Sequence, residues 1–268
     1  MILTLDVGNL NIQIGGFEGE TLKFHSRCAS DPLKTEDEYL LLLRDILGLY
    51  QIDVGSIEGG ILTSVVPSLT PVLQRAAERL IGKRLLVVGA GVKTGLNIRI
   101  ESPNELGGDM VVNAVAALHK YPKPIAVFDM ETATSLSVID RDGAYVGGAL
   151  IPGLRVSVDA MADSTAQLPY IPLCKPKKLI CSSTVGCMQS GAVYGYAAMT
   201  DGLAAQVAEE LGESVTVVLT GSAADLVATY CKSEIHLDMN LQMEGLRLLY
   251  EKNQGRRGKM SEKKEQKG

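Results

Sequence analysis

The chain has 268 residues, of which 46% are hydrophobic and 21% charged, with a formal net charge of −5 at pH 7. This composition is that of an ordinary globular protein and excludes an intrinsically disordered chain. The acidic balance and the scarcity of aromatic residues, three Phe and no Trp, argue against nucleic-acid binding and against attachment to an anionic membrane. No apolar stretch is long enough to span a bilayer. The five cysteines are scattered without CxxC spacing, so we predict reduced thiols in a reducing compartment. Met1 leads directly into the alternating run ILTLDVG, so we predict a cytoplasmic protein without a signal peptide.

The N-terminal part predicts strands first and then alternating helices and strands. Apolar runs separated by turn signals predict strands over Ile2–Val7, Ile12–Phe17 and Leu22–Cys28. A helix is expected over Thr35–Tyr50, because Thr35 stands three residues before a Glu, as in a capping box. The next predicted elements are a strand at Gly60–Val66, a helix from about Leu69 to Leu80 and a strand at Leu85–Val88.

The C-terminal part repeats this order. Its predicted strands are Pro124–Asp129, Thr134–Asp140, Ala144–Leu150 and Val215–Thr220, and its predicted helices are Leu154–Ala162, Thr184–Leu211, one after Gly221, and Leu241–Tyr250. LTLDVGNLNIQIGGFEGETL (residues 3–22) matches AVFDMETATSLSVIDRDGAY (residues 126–145) in plan. We therefore predict an α/β fold with a duplicated unit, split into domains 1–118 and 119–253 with a cleft between them and a disordered polar tail at 254–268.

Two matching turns carry the first candidate chemistry. Asp6-Val7-Gly8-Asn9 follows the first strand, and Asp129 opens the corresponding turn of the second half. An Asp at a strand end can hold Mg²⁺ beside a polyphosphate, and turn amides can bind phosphate oxygens. Asp, Gly and Asn are also ordinary turn formers, so a plain hairpin remains the alternative at each turn.

Gly107-Gly108-Asp109 precedes the apolar segment Met110–Leu118. Asp109 is either the N-cap of that helix or a general base at the cleft. The residues alone favour neither interpretation.

Several ordered motifs resemble the type III pantothenate kinases, members of the actin-like and sugar-kinase ATPase superfamily. The resemblance runs from Met1 to about Asn253. The motifs are DVGN at Asp6–Asn9, KTEDEY at Lys34–Tyr39, SVVP at Ser64–Pro67, VVGAGVKTGLNIRI at Val87–Ile100, GGDMVVNAVAA at Gly107–Ala117, GGALIPG at Gly147–Gly153, QLP at Gln167–Pro169 and MQSGAVYGYAAMTDG at Met188–Gly202.

The resemblance implies two ribonuclease-H-like domains and transfer of the γ-phosphate of ATP to pantothenate, the first step of coenzyme A synthesis. It implies Mg²⁺, a monovalent cation (K⁺ or NH₄⁺) and a homodimer whose partner completes each substrate pocket. Asp109 matches the family's proton acceptor, Asp129 a ligand of the monovalent cation, and Thr132 an ATP contact. The substrate-binding positions match Gly107, Gly108, Asp109, Met110 and Thr184. The first phosphate loop matches Asp6, Val7, Gly8, Asn9, Leu10, Asn11, Ile12 and Gln13.

Three positions depart from the family pattern, all on the ATP side. Leu10 replaces a Thr of the first loop, Glu131 a Gly of the second, and Ser222 the second Gly of a TGG turn. A carboxylate at about 5 Å from a phosphate costs on the order of 3 kcal/mol at an effective dielectric near 20. We therefore expect a kinase with weakened ATP binding, whose turnover rises in a Glu131→Gly, Leu10→Thr double variant. The alternatives are a non-catalytic paralogue that binds pantothenate as a regulator, a different phosphoryl donor, or a phosphohydrolase in which Glu131 positions water.

Overall fold

The structure is a computed structural model that describes residues 1–265, with side chains described through residue 254. Of the tail predicted as disordered at 254–268, residues 254–265 form the end of a helix, and residues 266–268 lie outside the described residues. The chain forms two compact units. The first contains Met1–Gly95, Asn104–Ala116 and Gln242–Gly268, and the second contains Leu96–Pro103 and Ala117–Leu241.

These units are not contiguous in sequence, whereas the predicted domains 1–118 and 119–253 are. Residues from Gln242 onward group with the N-terminal sheet, and Leu96–Pro103 groups with the second unit. How the chain divides into independently folding domains stays a prediction.

The first unit is built on a five-stranded sheet with the order β3-β2-β1-β4-β5. Strands β1 (Ile2–Val7), β2 (Asn11–Glu18) and β3 (Thr21–Ala29) form an antiparallel meander, and β4 (Gly59–Ser64) and β5 (Leu85–Val87) continue the sheet in parallel with β1. Its helices are α1 (Glu36–Leu49), α2 (Thr70–Ile81), α3 (Gly108–Lys120) and α7 (Leu241–Glu265), the third of which runs across the limit between the two units.

Side chains of β1 alternate between the two faces of this sheet, as a strand requires. Leu3, Leu5 and Val7 enter the core that also holds residues of α1 and α2. Ile2 joins the opposite core with Val112 of α3 and Leu246 of α7. Helices therefore cover both faces.

The second unit repeats this topology. Strands β7 (Ile125–Met130), β8 (Ala133–Ile139) and β9 (Ala144–Pro152) form the antiparallel meander, and β10 (Thr216–Thr220) and β11 (Ile235–Leu237) extend it in parallel with β7. The order β11-β10-β7-β8-β9 is that of the first sheet, with the short β6 (Asn97–Ile98) added beside β9. Its helices are α4 (Leu154–Asp163), α5 (Thr184–Leu211) and α6 (Ala224–Ala228). The predicted duplication of an α/β unit is confirmed.

Most predicted elements lie within a few residues of the observed ones. The capping box of α1 forms, since the Thr35 side chain accepts from the Glu38 N–H and the Glu38 carboxylate accepts from the Thr35 N–H. Strands β6 and β11 were not predicted, because two or three residues carry no periodic pattern. Among the described residues, no helix combines the length and apolar character that crossing a membrane needs.

Candidate active site

Asp6 lies at the end of β1 with only 6% of its surface exposed. Its Oδ2 accepts a hydrogen bond from Gln13 Nε2 at 3.4 Å, and Gln13 Oε1 lies 3.0 Å from His25 Nε2. Gln13 Nε2 also lies 3.4 Å from Gln242 Oε1. The β1–β2 register places Asp6 directly opposite Gln13, so the hairpin itself orients this carboxylate.

The turn after β1 is held by its main chain. The Gly8 N–H donates to the Asn11 carbonyl at 2.9 Å, and the Ser30 hydroxyl donates to the Gly8 carbonyl at 2.6 Å. Leu10 is 53% exposed at the tip. Val7 and Ile12 are fully buried in the core, so within the predicted phosphate loop these two residues can offer a ligand only their main chain.

Asp109 is the second residue of α3, whose first turn is closed by a hydrogen bond from the Val111 N–H to the Gly107 carbonyl. The helix begins at Gly108, two residues earlier than an N-cap at Asp109 would require, so that interpretation is wrong. Burial raises the pKa of the Asp109 carboxyl, and hydrogen bonds from the N–H groups of Met110 and Asp109 oppose this rise only in part. A half-buried carboxyl with a raised pKa is suited to accepting a proton.

Thr63, which the sequence did not predict as a site residue, is a neighbour of Asp6 and of the first residue of α3. It pairs with Asp6 across β1 and β4, and a methyl group at Gly108 would lie 2.7 Å from its Oγ1. This oxygen is buried and has no hydrogen-bond partner among the described residues. The first unit thus brings Asp6, Thr63 and the start of α3 together. Thr63 directly precedes the SVVP motif, but only the strand order shows what it faces.

The second unit holds Asp129, which is buried at the end of β7 and pairs with Thr220 of β10. Gly221 has φ +91°, and a methyl group there would lie 2.6 Å from Asp129 Oδ1. Only glycine adopts this backbone readily and leaves room for the carboxylate. The ends of β7 and β10 are therefore in close contact at Asp129.

The turn after β7 contains Glu131 and Thr132. The Thr132 carbonyl accepts from the Gly153 N–H at 3.1 Å. The Glu131 carboxylate accepts from the Ser222 N–H at 2.8 Å and from the Ser222 hydroxyl at 2.9 Å. Two of the three departures from the family pattern are therefore in direct contact.

Thr184 is the first residue of α5 and is exposed. The preceding Ser183 caps the helix, its hydroxyl accepting from the Gly186 N–H at 3.2 Å. Thr184, Asp129 and Thr132 belong to the second unit, whereas Asp6–Gln13 and Gly107–Met110 belong to the first.

Within the part of the chain that the structure describes, no three His, Cys, Asp or Glu residues are grouped closely enough to hold a metal ion by themselves. Asp6 and Asp129 are each a single carboxylate at a strand end. Such an arrangement fits a cation that keeps water and phosphate oxygens as its other ligands.

Solved structures support the fold. The chain aligns with a Campylobacter jejuni protein assigned to the Baf family of transcriptional activators, with TM-score 0.57 and 15% identity over 94% of this chain and 98% of the other. The ethanolamine utilization protein EutJ of Carboxydothermus hydrogenoformans aligns with TM-score 0.54 and 13% identity over 92% and 89%. Such low identities bear on fold alone. With the repeated strand order, they support the predicted fold of two ribonuclease-H-like units.

Sequence comparison is more specific. The family model described as "Type III pantothenate kinase" matches residues 2–206. Proteins of that name from Exiguobacterium sp. (strain ATCC BAA-1283 / AT1b) and Moorella thermoacetica are 42% and 43% identical over 95% and 94% of this chain and 100% of their own lengths. The chain belongs to the type III pantothenate kinase family.

Proposed function

We propose that the chain phosphorylates pantothenate with ATP, the reaction named by its family. The observation that carries this proposal is the retention of Asp109, half-buried with a raised pKa, in a chain that matches its relatives over their whole length. The comparisons give no support to a non-catalytic paralogue.

In the proposed reaction, the Asp109 carboxylate accepts the proton of the primary hydroxyl of pantothenate. The hydroxyl oxygen bonds to the γ-phosphorus of ATP, the bond from that phosphorus to the β,γ-bridging oxygen breaks, and ADP leaves. The start of α3, from Gly107 to Met110, and the Thr184 hydroxyl bind pantothenate in this proposal.

The turns of Asp6–Gln13 and Thr132 bind ATP in this proposal. Asp6, oriented by Gln13, would hold the divalent cation of the nucleotide, which we infer is Mg²⁺. Asp129 would hold K⁺ or NH₄⁺. A bound divalent cation supplies positive charge that neutralises the phosphates. We further propose a cytoplasmic homodimer whose partner completes each pantothenate pocket.

The test is pantothenate-dependent ADP release in the parent and in Asp109→Asn. We expect turnover to fall about 10²- to 10⁴-fold, the usual contribution of a positioned base, without a lower melting temperature. Asp37→Asn is the matched control, because Asp37 is an exposed carboxylate in the first turn of α1; its turnover should equal that of the parent.

Turnover of Asp109→Asn within tenfold of the parent would contradict the role of Asp109. A folded parent that releases no ADP with pantothenate, with or without K⁺, would contradict the proposed function itself.

A further inference from the structure

The contact between Glu131 and Ser222 has no role in the proton transfer described above. Both carboxylate oxygens are engaged: Oε1 with the Ser222 N–H at 2.8 Å and Oε2 with the Ser222 hydroxyl at 2.9 Å. The residues are 91 positions apart and come from the turns that follow β7 and β10. We call this pair the Glu131–Ser222 clasp.

The main chain around the clasp is held firmly. The Glu131 N–H donates to the Ala133 carbonyl at 3.2 Å, and the Ala223 N–H donates to the Met130 carbonyl at 3.1 Å. Gly153 packs so closely on the carbonyls of Glu131 and Thr132 that a side chain there would overlap them. The clasp can therefore open by rotation of the Glu131 side chain, without movement of the turns.

The two groups that Ser222 offers to Glu131 are those that bind a phosphate. Backbone N–H and hydroxyl donors form strong hydrogen bonds to any anionic oxygen, whether carboxylate or phosphate. They stand at the carboxyl ends of the parallel strands β7 and β10, beside Asp129, and ligands of open α/β sheets bind at such strand ends. The Glu131 carboxylate thus engages two donors of the kind that bind phosphate, and it adds a negative charge there.

We propose that Glu131 sets the affinity for the phosphoryl donor, because its carboxylate competes with the donor's phosphates for Ser222. The inference rests on the proposed function, since it concerns the nucleotide site of that kinase. A clasp closed in about nine molecules out of ten lowers the apparent affinity for the nucleoside triphosphate about tenfold. The competition acts on phosphate and leaves recognition of the nucleoside unchanged.

The experiment measures the Kd of a non-hydrolysable ATP analogue by calorimetry, with Mg²⁺, for the parent, Glu131→Gln and Glu131→Gly. Glu131→Gln keeps the size of the side chain and removes its charge, so it tests the competition even where glycine loosens the turn. We expect about tenfold tighter binding for Glu131→Gly and a smaller gain for Glu131→Gln. Adenosine is the ligand control, and its Kd should be the same in all three proteins.

Glu209→Gln is the control variant. Glu209 is an exposed carboxylate near the C-terminal end of α5, close in sequence to the start of β10, whereas Ser222 follows the end of that strand. The Glu209→Gln variant loses the same charge as Glu131→Gln, and we expect its Kd for the analogue to equal that of the parent.

Equal or weaker binding of the analogue by both Glu131 variants would overturn the proposal. So would a gain for adenosine as large as that for the analogue, because the effect would then be structural. The two proposals fail separately: a parent that turns over pantothenate while its variants keep the parent's Kd contradicts the clasp alone. An inactive parent whose Glu131→Gly variant binds the analogue more tightly contradicts the kinase function alone.

Discussion

Asp109 of the first unit and Glu131 of the second show how differently the chain treats two carboxylates. Burial raises the pKa of Asp109, which makes it a better proton acceptor near neutral pH. Glu131 instead accepts two hydrogen bonds from Ser222, which satisfy its charge within the chain. The residue type is acidic in both cases, and the neighbours decide whether it serves as a base or as a hydrogen-bond acceptor.

The raised pKa of Asp109 predicts the pH dependence of turnover. The carboxyl must be ionised to accept a proton, so kcat/KM should fall on the acid side around a pKa above the ordinary Asp value of about 3.9. A pH–rate profile measures the pKa of this acid-side decrease. A measured pKa at or below the ordinary Asp value would contradict the effect of burial.

The same group predicts a stability trend with a definite sign. Because the folded pKa is raised, the native state binds more protons than the unfolded state between the two pKa values. The stability contributed by Asp109 is therefore present at low pH and lost as the pH rises through its folded pKa. Relative to the parent, Asp109→Asn should gain stability as the pH rises across this window, as urea unfolding at several pH values will show.

At the scale of single elements, caps and side-chain anchors define the helices. Helix α5 begins after the capping Ser183 and ends at Gly212, which has φ +71°. Asp201 in its middle anchors another segment: its carboxylate accepts from the N–H groups of Lys232 and Ser233 at 2.8 and 2.9 Å. Partial burial raises the pKa of Asp201, but these hydrogen bonds outweigh burial and hold the pKa below its usual value.

We predict that Asp201→Asn lowers the free energy of unfolding by about 1–2 kcal/mol at pH 7, because a charged acceptor of two backbone N–H groups is lost. A lowered folded pKa contributes stability above the unfolded pKa, and that stability is lost as the pH falls through the folded value. The difference from the parent should therefore shrink in acid. Urea unfolding is the measurement, with the exposed Glu209→Gln on the same helix as control; an effect of equal size in both variants would contradict the anchoring role.

At the scale of the whole molecule, α7 binds the C-terminal part of the chain to the N-terminal sheet of the first unit. Met243, Leu246 and Leu249 share a buried cluster with Ile2 and Ile61. Gly245 permits close contact with α3, since a methyl group there would overlap the Val112 carbonyl and lie 2.8 Å from Val112 Cγ1.

Gly245→Ala should therefore destabilise the protein by about 1–3 kcal/mol through overpacking. Intrinsic helix propensity alone would favour Ala by up to about 1 kcal/mol, so the sign of the effect decides which term dominates. Gly202→Ala in α5 is the control, because a methyl group there meets no atom within 4 Å, and it should raise the melting temperature. A stabilised Gly245→Ala protein would contradict the close packing of α7 on α3.

The sequence by itself determined most of what depends on near neighbours along the chain. The capping box of Thr35 and Glu38, the bounds of α5 and the strand–turn–strand plan repeated at Asp6 and Asp129 all come from contacts a few residues apart. The ordered motifs were sufficient to identify the family.

Tertiary structure alone decided the long-range contacts. It placed Thr63 opposite Asp6, paired the short strands β6 and β11, and grouped α7 with the first unit. Most of all, it joined Glu131 to Ser222, which the sequence presents as two separate departures 91 residues apart. Pairings of this kind depend on the order of strands in a sheet and on which turns meet at its edge, and neither leaves a periodic pattern in the sequence.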